Sequence, residues 1–466
     1  RLVIAMNDYV DWLKKNKITE VECMIPDNSG IPRGKILPTK KFLSSIDSGG
    51  LRLPLALFKL AVSRDVTYSI DDQILNPTDG DFILKPDFST LRTVPWYDEP
   101  TAQVICDAVD NNDNVIEVHS RGILKKVISL YEKMGLEPIV APEIEFYLVK
   151  KNNDPDNPLE TPSGQSGRIE KGNQSYGIDA VNEFDHIFED LYDYCEAQEL
   201  DVENINHEDG PAQMEINFKH GNPLDLADQV FLFKRTLRQT ALKHNLYATF
   251  MAKPMEDSPG NSMHIHQSIL KKGKPIFVDK NLKTTKLFDN YLGGLQKYSK
   301  SFLPLFAPNV NSFKRLRGYW EEGTPFNLNW GFENRTCGFR VPNYNSANQA
   351  RIENRLCGSD VNPYLAIAAT LSAGYLGIKK KLKATPETKK AAYNVNVSLT
   401  ESIYQSIDTF SRSKEAKEIF GETFIELFCS IKDLEVNAYN KIITAWEREY
   451  LLLNVWTINK INTNCS

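Results

Sequence analysis

Four short segments of the chain alternate between apolar residues and charged or polar ones: PEIEFYLV, QMEINF, MHIHQSI and ARIENRL. A period of two residues is typical of a β-strand, in which successive side chains point to opposite faces of the sheet. Each segment therefore predicts a strand with one apolar face, which other elements must cover, and one face rich in ionisable groups. Long helical patterns such as LADQVFLFKRTLRQTALKHN and NPYLAIAATLSAGYLGIKKKL provide that cover, so the expected fold class is α+β, with helices on one side of an antiparallel sheet.

The polar faces of these strands carry glutamate, histidine and arginine. The residues concerned are Glu143, Glu145, Glu215, His264, His266, Ser268, Arg351, Glu353 and Arg355, with Arg335 and Arg340 shortly before the last strand. The Asp-Gly-Pro turn at 209–211 allows Glu208 to reach Glu215 across a bend. An ordinary solvated or salt-bridged face explains any one strand, but it would accept lysine as readily as arginine and has no need of histidine.

Crowded carboxylates repel each other unless cations neutralise them, and oxygen ligands with an imidazole suit hard divalent ions such as Mg²⁺ or Mn²⁺. Guanidinium groups bind phosphates and carboxylates in a bidentate manner. The combination predicts phosphoryl transfer from a nucleotide. The chain has neither the GxxxxGK[ST] sequence of a P-loop nor a GxGxxG sequence after a strand, so a different kind of nucleotide site is required.

Length and charge limit the remaining possibilities. A chain of 466 residues predicts two domains, and its formal charge of −6, without a block of lysine or arginine, favours a small-molecule partner over nucleic acid. Because there is no apolar run of about 18 residues and no signal-peptide pattern, we expect a cytoplasmic protein without a membrane partner. The seven cysteines include no CxxC pair and predict reduced, mostly buried thiols.

Turn-rich, strand-like sequence fills the first part of the chain and predicts a β-rich N-terminal domain over residues 1–110. Two strands are expected around the Asp-Asn-Ser-Gly turn of VECMIPDNSGIPRGKILP. Ser120 is expected to cap an amphipathic helix at the start of a second domain, over residues 115–466. The polar segment that begins at Lys150 predicts a long, mobile loop.

The chain resembles the type I glutamine synthetase superfamily over nearly its whole length. Six motifs carry the resemblance, in the family's order: PEIEF, NHEDGPAQMEINF, ATFMAKPMEDSPGNSMHIHQS, APNVNSFKR, ENRTCGFRVP and ARIENRLCGSDVNPYLA. The resemblance implies an N-terminal β-grasp domain and a C-terminal catalytic domain whose antiparallel strands form a funnel covered by helices. It also implies a homo-oligomer with active sites between neighbouring subunits of a ring, often two stacked hexameric rings.

The resemblance implies roles for individual residues. One metal ion would be held by Glu145, Glu208 and Glu215, and another by Glu143, His264 and Glu353. Nucleotide contacts would be Glu203, His266, Ser268, Arg340 and Arg351, with Arg335 at the nucleotide and the transferring phosphoryl group, and glutamate contacts would be Gly260, Arg315 and Arg355. The implied reaction activates the γ-carboxylate of L-glutamate with ATP and two or more Mg²⁺ or Mn²⁺ ions, after which an amine attacks the γ-glutamyl phosphate.

The sequence departs from the family's pattern where the amine should bind. Glutamine synthetases proper have an Asp-Gly-Ser-Ser segment whose aspartate helps to bind ammonium, whereas no acid lies between Gly49 and Ser63 here. Leu53, Leu55 and Phe58 would form an apolar wall that suits a larger amine, unless they simply belong to the core.

The flap of the family is altered as well, because the corresponding segment reads LRGYWEEGTPF. Glu321 or Glu322 is the candidate catalytic acid there, and Trp320 and Trp330 are candidates to flank an alkylamine. The pattern is most similar to γ-glutamylpolyamine (γ-glutamylputrescine) synthetases and related γ-glutamylamide ligases. The alternatives are a glutamine synthetase that uses ammonia, a non-catalytic structural or sensing relative, and a carboxylate-rich ion-binding module; the filled metal and arginine positions argue against the last two.

Overall fold

A computed structural model describes residues 8–67, 80–316, 324–393, 399–400 and 402–454. Its strands are β1 Glu20–Pro26, β2 Pro32–Pro38, β3 Leu51–Pro54, β4 Asp81–Pro86, β5 Arg92–Thr93, β6 Thr101–Val109, β7 Glu137–Lys150, β8 Val202–His207, β9 Gln213–Phe218, β10 Leu246–Thr249, β11 Met263–Lys271, β12 Lys274–Pro275, β13 Trp330–Phe332, β14 Phe339–Val341 and β15 Ile352–Asn354. Its helices are α1 Tyr9–Lys15, α2 Thr39–Asp47, α3 Ser120–Glu132, α4 Ile178–Asn182, α5 Asp185–Ala197, α6 Pro223–Lys243, α7 Lys286–Tyr298, α8 Leu303–Phe306, α9 Val310–Leu316, α10 Pro363–Lys380, α11 Ile403–Arg412, α12 Lys414–Phe420, α13 Glu422–Asn440 and α14 Ala445–Leu451. This mixture of helices and sheet confirms the α+β class.

The first sheet contains the strands of the N-terminal part of the chain, in the order β2–β1–β6–β4–β3, with β5 paired to β6. β1 and β2 are antiparallel neighbours around the turn at 27–31, as the sequence predicts. Asp27 stabilises this turn because its carboxylate accepts hydrogen bonds from the amides of Ser29 and Ile31, both at 2.9 Å, while Gly30 adopts a φ of +78°. β1 is parallel to β6, so the sheet is mixed.

The second sheet contains the four alternating segments. Its order is β13–β14–β15–β11–β7–β9–β8, with β10 paired to β7 and β12 to β11, and it forms a nearly closed funnel. The strands that carry the ionisable residues pair antiparallel, as expected, whereas β13 and β14 are parallel. The register places Glu143 opposite both His264 and Asn217, and Glu145 opposite Glu215, so the ionisable side chains of neighbouring strands meet on one face.

Helices cover the apolar side of this sheet. α3 and α6 pack against β7, and α10 packs against α3, α6 and α7. α6 and α10 begin in the same way, because Asn222 and Asn362 each accept hydrogen bonds from amides of the first turn and a proline follows each of them. The prediction for Ser120 is wrong: α3 begins at Ser120 itself, and the Ser120 hydroxyl is buried without a partner in the described part of the chain.

Arg121 connects the first sheet to the helices behind the second. Its side chain is 1% exposed and donates hydrogen bonds to both carboxylate oxygens of Asp228, on α6, at 2.8 and 2.9 Å. The same guanidinium donates at 2.7 Å to Asp107, on β6, and at 2.7 Å to Asp87, which follows β4. The hydroxyl of Tyr364, on α10, donates to Asp228 at 2.6 Å. One buried cation thus holds three carboxylates from separate parts of the chain.

The segment from residue 151 to residue 177 contains no helix or named strand, and all of its residues are among those that the structure describes. A single antiparallel bridge joins Ser163 to Ile169. The predicted loop is therefore confirmed as irregular structure, and its mobility stays a prediction.

Two further expectations concern the state of the cysteines and the presence of membrane-spanning segments. The six cysteines within the described ranges are buried and unpaired, as expected, and Cys465 lies outside those ranges. None of the helices in the described part of the chain has the length and the apolar character that crossing a lipid bilayer requires.

Candidate active site

Two adjoining cavities open on the ionisable face of the second sheet. The first, named here the histidine cavity, has a volume of about 350 Å³ and is lined by Ile139, Val140, Ala141, Glu143, Glu203, Asn217, Phe218, His220, His266, Gln267, Ser268, Asn348, Gln349 and Arg351. The second, the acidic cavity, has a volume of about 560 Å³ and is lined by Glu143, Glu145, Tyr176, Asn204, Ile205, Asn206, Glu208, Asp209, Gln213, Glu215, Asn217, Pro259, Gly260, Ser262, His264, Thr324, Arg335, Arg340 and Arg355. Glu143 and Asn217 line both, so the two cavities meet at these residues.

Three carboxyl groups of the acidic cavity keep their protons to unusually high pH. Burial, together with the charge of Glu208, raises the pKa of Glu145 to about 8. Burial and the charge of Glu143 raise the pKa of Glu208 to about 7. The pKa of Glu215 is raised well above its ordinary value by burial and by the carboxylates of Glu143, Glu208, Glu145 and Glu353. A cation bound among these groups would relieve the repulsion and favour their ionised forms.

Glu143 and Glu353 are ionised in the same cluster because cationic or hydrogen-bonding groups contact them. Burial opposes ionisation of Glu143, but the imidazoles of His266 and His264 outweigh it, and its pKa lies well below the ordinary value. Burial also opposes ionisation of Glu353, yet Arg355, with the two imidazoles, holds its pKa at about 2. Arg355 Nη1 donates to Glu353 Oε1 at 2.5 Å. Burial, reinforced by the charge of Arg355, lowers the pKa of His264 to about 4, which leaves a neutral imidazole able to bind a metal.

The geometry of the cluster fits divalent metal ions. Ligand atoms of Glu143, Glu215 and His264 all lie within 4.8 Å of one another, and so do those of Glu143, His266 and Glu353. His264 Nδ1 also lies 3.5 Å from carboxylate oxygens of both Glu143 and Glu353, so the second predicted ligand set is brought together. Around Glu215 the grouping differs from the prediction, which combines it with Glu145 and Glu208. In the structure Glu215 forms a compact group with Glu143 and His264, and Glu145 and Glu208 line the same cavity beside this group. Carboxylate oxygens with an imidazole nitrogen suit Mg²⁺ or Mn²⁺.

Four of the predicted nucleotide contacts, Glu203, His266, Ser268 and Arg351, line the histidine cavity together. Arg351 Nε donates to His266 Nδ1 at 3.2 Å, so the ring donates to Glu143 from Nε2, which is 2.9 Å from Oε1 of that carboxylate. The imidazole is therefore held in one tautomer between an arginine and the carboxylate that both cavities share.

Three predicted arginines, Arg335, Arg340 and Arg355, line the acidic cavity. Arg340, predicted for the nucleotide, donates to Glu353 at 2.8 Å and to Glu333 at 3.2 Å. Arg335 is exposed and has no hydrogen-bond partner among the described residues, and its charge acts to lower the pKa of Glu208 against the effect of burial. Its guanidinium is therefore available to an anionic ligand.

Gly260 lines the acidic cavity, but Arg315 lies behind the cavity wall. A Cβ at position 260 would lie 2.5 Å from a backbone carbonyl oxygen and 2.7 Å from Cγ of Arg315, so only glycine fits. Arg315 is 1% exposed and donates to the carbonyl oxygens of Leu356 at 3.0 Å and Arg355 at 3.2 Å, and to Ser262 Oγ at 2.8 Å. The structure therefore does not bring Arg315 to the glutamate site that the resemblance implies, because its Nη1 and Nη2 atoms donate to groups within the wall.

The predicted apolar wall for an amine is wrong for two of its three residues. Leu53 and Phe58 are 6% and 1% exposed and belong to the core of the N-terminal part of the chain, where Phe58 packs against Phe82 with ring centroids 5.1 Å apart. Leu55 is half-buried against the same core. The LPLALF stretch is apolar chiefly because it packs inward.

Of the residues predicted to form the flap or to flank the amine, Trp330 lies within the described ranges, and it does not reach a cavity. Trp330 packs edge-on against Phe288 and Phe332 and donates its Nε1–H to the carbonyl oxygen of Thr385 at 2.7 Å, so it lines neither cavity. The predicted catalytic acids Glu321 and Glu322, and Trp320, lie outside the described residues.

Several residues that line the cavities are absent from the sequence predictions, and Asn217 and Tyr176 are two of them. Asn217 lines both cavities, and its Oδ1 is buried without a partner among the described residues. The alternation of QMEINF places Asn217 on the same face as Glu215, so this pattern could have identified Asn217 as a residue of the site. Tyr176 lines the acidic cavity from the irregular segment, with a φ of +60°, and no periodicity in that segment indicates its position.

The raised pKa values predict how the metal-free protein responds to pH. When folding raises the pKa of an acid, the folded protein loses stability as the pH rises from the unfolded pKa of that acid to its folded pKa. The reason is that the acid ionises first in the unfolded state. Without metal, wild-type protein should therefore lose stability relative to Glu145→Gln between about pH 5 and pH 8, since the unfolded pKa of glutamate is about 4.3 and that of Glu145 in the fold is about 8. Thermal unfolding with EDTA measures this difference, with the exposed Glu160→Gln as control. Parallel Tm curves for wild type and Glu145→Gln would contradict it.

Comparison with known proteins agrees with this geometry. The family model for the glutamine synthetase catalytic domain matches residues 117–451. A glutamate–isopropylamine ligase from a Pseudomonas species is 32% identical over 446 residues, which cover 94% of this chain and 95% of the relative. Type-1 glutamine synthetase 2 of Dictyostelium discoideum is 32% identical over 468 residues, which cover 97% of this chain and 87% of the relative.

A solved structure has the same fold. The ligand-free structure of GmaS aligns with a TM-score of 0.81 at 24% identity, over 96% of this chain and 100% of the other. Since the family model spans most of the chain and the relatives match more than nine-tenths of it, this protein is a ligase of the glutamine synthetase family.

Proposed function

We propose that the chain forms a γ-glutamyl amide from L-glutamate and an organic amine, at the expense of ATP and through γ-glutamyl phosphate. The observation that carries the proposal is the pair of cavities that meet at Glu143. One cavity presents arginine, histidine and serine side chains to a nucleotide, and the other presents carboxyl groups and arginines to metal ions and an acidic substrate. A phosphoryl group can pass from a nucleotide in one cavity to a substrate in the other only if the two cavities adjoin, as these two cavities do.

The histidine cavity is the proposed nucleotide site. Arg351 offers guanidinium donors to phosphate oxygens. The Ser268 hydroxyl donates to the carbonyl oxygen of Ala350 at 3.0 Å, so its oxygen offers an acceptor to a ribose hydroxyl, and Glu203, exposed at the cavity, offers another acceptor to ribose or base. His266, held in one tautomer by Arg351 and Glu143, connects this cavity to the metal cluster.

Two metal ions are proposed at the boundary, held by Glu143, Glu145, Glu208, Glu215, His264 and Glu353. When bound, Mg²⁺ or Mn²⁺ supplies positive charge beside the phosphate oxygens. The residues of the cluster are already arranged for this charge, because Glu143 and Glu353 are ionised and the pKa values of three further carboxyl groups are raised by burial and by the charges of neighbouring carboxylates.

The acidic cavity is the proposed glutamate site. Arg355 is positioned to bind a substrate carboxylate, and the absence of a side chain at Gly260 leaves room for the substrate backbone. Arg335, exposed and without a partner among the described residues, is the proposed contact of the transferring phosphoryl group, and Arg340 supports the site by binding Glu353. Arg315 would act from behind the wall by holding Ser262 and the backbone of Arg355.

The choice of an organic amine has two supports. No acidic residue lies between Gly49 and Ser63, where an ammonium ion would need an anionic or carbonyl partner. In addition, a relative that is 32% identical over 94% of this chain is named for isopropylamine. Ammonia remains the second candidate, because other relatives at the same identity are named glutamine synthetases. A non-catalytic role does not explain why the metal and arginine positions are all filled.

Amine preference is tested by comparing kcat/KM for ammonium with that for putrescine, methylamine, isopropylamine and ethanolamine at fixed glutamate and ATP. We expect at least one organic amine to exceed ammonium by more than about tenfold, because each methylene that leaves water on binding contributes about 0.8 kcal/mol and ammonium has none. Reactions without glutamate control for uncoupled ATP hydrolysis. If ammonium has the highest value, the protein is a divergent glutamine synthetase and only the amine assignment fails; if no amine supports glutamate-dependent ADP release, the ligase assignment fails.

We also propose that the chain divides into domains at residues 1–110 and 115–466 and forms a homo-oligomer of stacked hexameric rings with active sites between subunits. The last strand of the first sheet ends at Val109 and the next helix begins at Ser120, which supports the division. Apolar side chains near the end of the described chain are exposed, with Ile443 at 63%, Trp446 at 61% and Leu453 at 83%, and such surface is typical of a subunit contact.

A further inference from the structure

The turn that carries Glu208 has an unusual conformation. It joins β8 to β9, and within it the amide of Glu208 donates to the carbonyl oxygen of Gln213 at 2.8 Å. Ala212 adopts a φ of +55°, a left-handed conformation that costs energy for a residue with a side chain. Such a turn keeps its shape only if surrounding contacts determine it, so the contacts at its two ends require an explanation.

Glu170 contacts both ends of this turn. It belongs to the irregular segment 151–177, yet its side chain is only 7% exposed. One carboxylate oxygen, Oε2, accepts a hydrogen bond from the amide of Ala212 at 2.9 Å. The other, Oε1, lies 2.6 Å from Nε2 of His207, whose side chain is fully buried. The carboxylate therefore bridges the residue before Glu208 and the strained residue after the bend.

His207 completes the bridge from the other side. Its Nδ1 donates to the carbonyl oxygen of Glu208 at 2.5 Å, because a carbonyl can only accept. The ring thus lies between two acceptor groups, the carbonyl of Glu208 and the carboxylate of Glu170, and closely contacts both. Nε2 and Oε1 are within ion-pair distance of each other, and neither atom makes a hydrogen bond of standard geometry in the described part of the chain.

Neighbouring residues fasten the same segment to the turn. The amide of Asn173 donates to the carbonyl oxygen of Asp209 at 2.7 Å, and Ser175 Oγ donates to the Asp209 carboxylate at 2.8 Å. The amide of Tyr176 donates to the carbonyl oxygen of His207 at 2.9 Å. These contacts surround Glu170 and His207, and neither side chain lines the acidic cavity.

We infer that Glu170 and His207 are positioning residues that fix Glu208 for metal binding by bridging the two ends of its turn. The inference rests on the proposed function only in assigning Glu208 to a metal site. It gives the long irregular segment a role in the reaction, because that segment supplies the carboxylate on which the geometry of the turn depends.

Two conservative variants separate geometry from charge. In Glu170→Gln the amide oxygen can accept from Ala212 and the amide nitrogen can donate to His207 Nε2, so the bridge persists without a negative charge. In Glu170→Asp the charge persists, but the side chain is one methylene shorter and cannot reach both partners. We expect Mn²⁺ affinity in Glu170→Gln to stay within about threefold of wild type and in Glu170→Asp to fall by about tenfold or more, as for other residues that orient metal ligands.

The measurement is the Mn²⁺ dissociation constant of the full metal-free chain by isothermal titration calorimetry, with Glu160→Gln and Glu160→Asp as controls in the exposed part of the same segment. Tighter binding by Glu170→Asp than by Glu170→Gln would overturn the inference in favour of a simple charge effect, and so would equal affinities. If Glu170→Asp does not fold, His207→Asn replaces it. Asparagine keeps a donor near the position of Nδ1 but has no atom at Nε2, so Mn²⁺ should bind about tenfold more weakly, and wild-type affinity would contradict the inference.

These binding measurements do not depend on turnover. If the variants follow the expected order while no amine is ligated, the inference holds and the proposed reaction fails. If ligation is observed but the order is reversed, the reaction stands and the positioning role is overturned.

Discussion

Glu353→Gln should lower ligase activity by at least about 1,000-fold at saturating ATP, glutamate and Mg²⁺, since several kcal/mol of charge stabilisation corresponds to a factor of this size. Glu353 is 1% exposed and contacts Arg340, Arg355 and His264. The neutral amide would supply less negative charge to a metal ion, and it would leave the two guanidinium groups beside each other without their shared anion. The expected loss is therefore in kcat as well as in metal affinity.

The matched control for this variant is Glu333→Gln. Glu333 also accepts a hydrogen bond from Arg340, at 3.2 Å, but its side chain is 44% exposed and lines neither cavity. Because exposed ion pairs are worth about 0–1 kcal/mol, activity should stay within a few-fold of wild type. Product formation is measured by chromatography of the γ-glutamyl compound. Undiminished turnover of Glu353→Gln at saturating Mg²⁺ would show that the carboxylate has no part in the reaction.

Arg335→Ala should reduce kcat by roughly 100- to 1,000-fold with little change in the KM for the amine, as expected when a donor to developing charge is removed. Arg335 lines the acidic cavity, is exposed, and has no hydrogen-bond partner among the described residues, so its removal disturbs the surrounding structure little. Loss of its charge should also allow the pKa of Glu208 to rise further, because Arg335 acts to lower it.

The comparison variant is Arg335→Lys, which keeps the charge but loses the planar fork that binds two phosphate oxygens. We expect it to lie between wild type and Arg335→Ala in single-turnover measurements of phosphate release. Similar kcat values for all three proteins would remove Arg335 from the catalytic assignment, whereas a rise confined to the KM for glutamate would move it to substrate binding.

The sequence predicts the second sheet well because its signal is local. In a strand, alternate residues share a face whatever the rest of the fold does. Glu143 and Glu145 are two positions apart in the sequence, so they must lie on the same face. Antiparallel register then brings Glu143 beside His264 and Glu145 beside Glu215. Most of the ionisable cluster could be anticipated for this reason.

The amine region could not be predicted because apolar residues have two possible uses. Leu53 and Phe58 suit a ligand wall and a core equally well in sequence, and only their burial in the folded chain, where Phe58 packs against Phe82, decides between the two. Trp330 is a similar case, since its ring packs on Phe288 rather than on a cavity. Composition indicates hydrophobic contact, but it does not indicate the partner.

Arg315 and Glu170 show a second limit. An arginine in a matching motif has the same sequence whether its guanidinium faces a cavity or the carbonyl groups behind it, and here Leu356 and Arg355 bind it. Glu170 lies in a segment without periodicity, so its contacts with His207 and Ala212 depend on tertiary structure alone.

The shared guanidinium of Arg121 has a consequence for how the protein unfolds. Detaching the first sheet would break the hydrogen bonds to Asp87 and Asp107 while Asp228 still held the cation among apolar helices. Removing partners from a buried charge costs several kcal/mol, and this cost opposes any state in which one sheet is intact and the other is lost. The two sheets are therefore coupled into one cooperative unit, and states in which this junction is open are rarely populated.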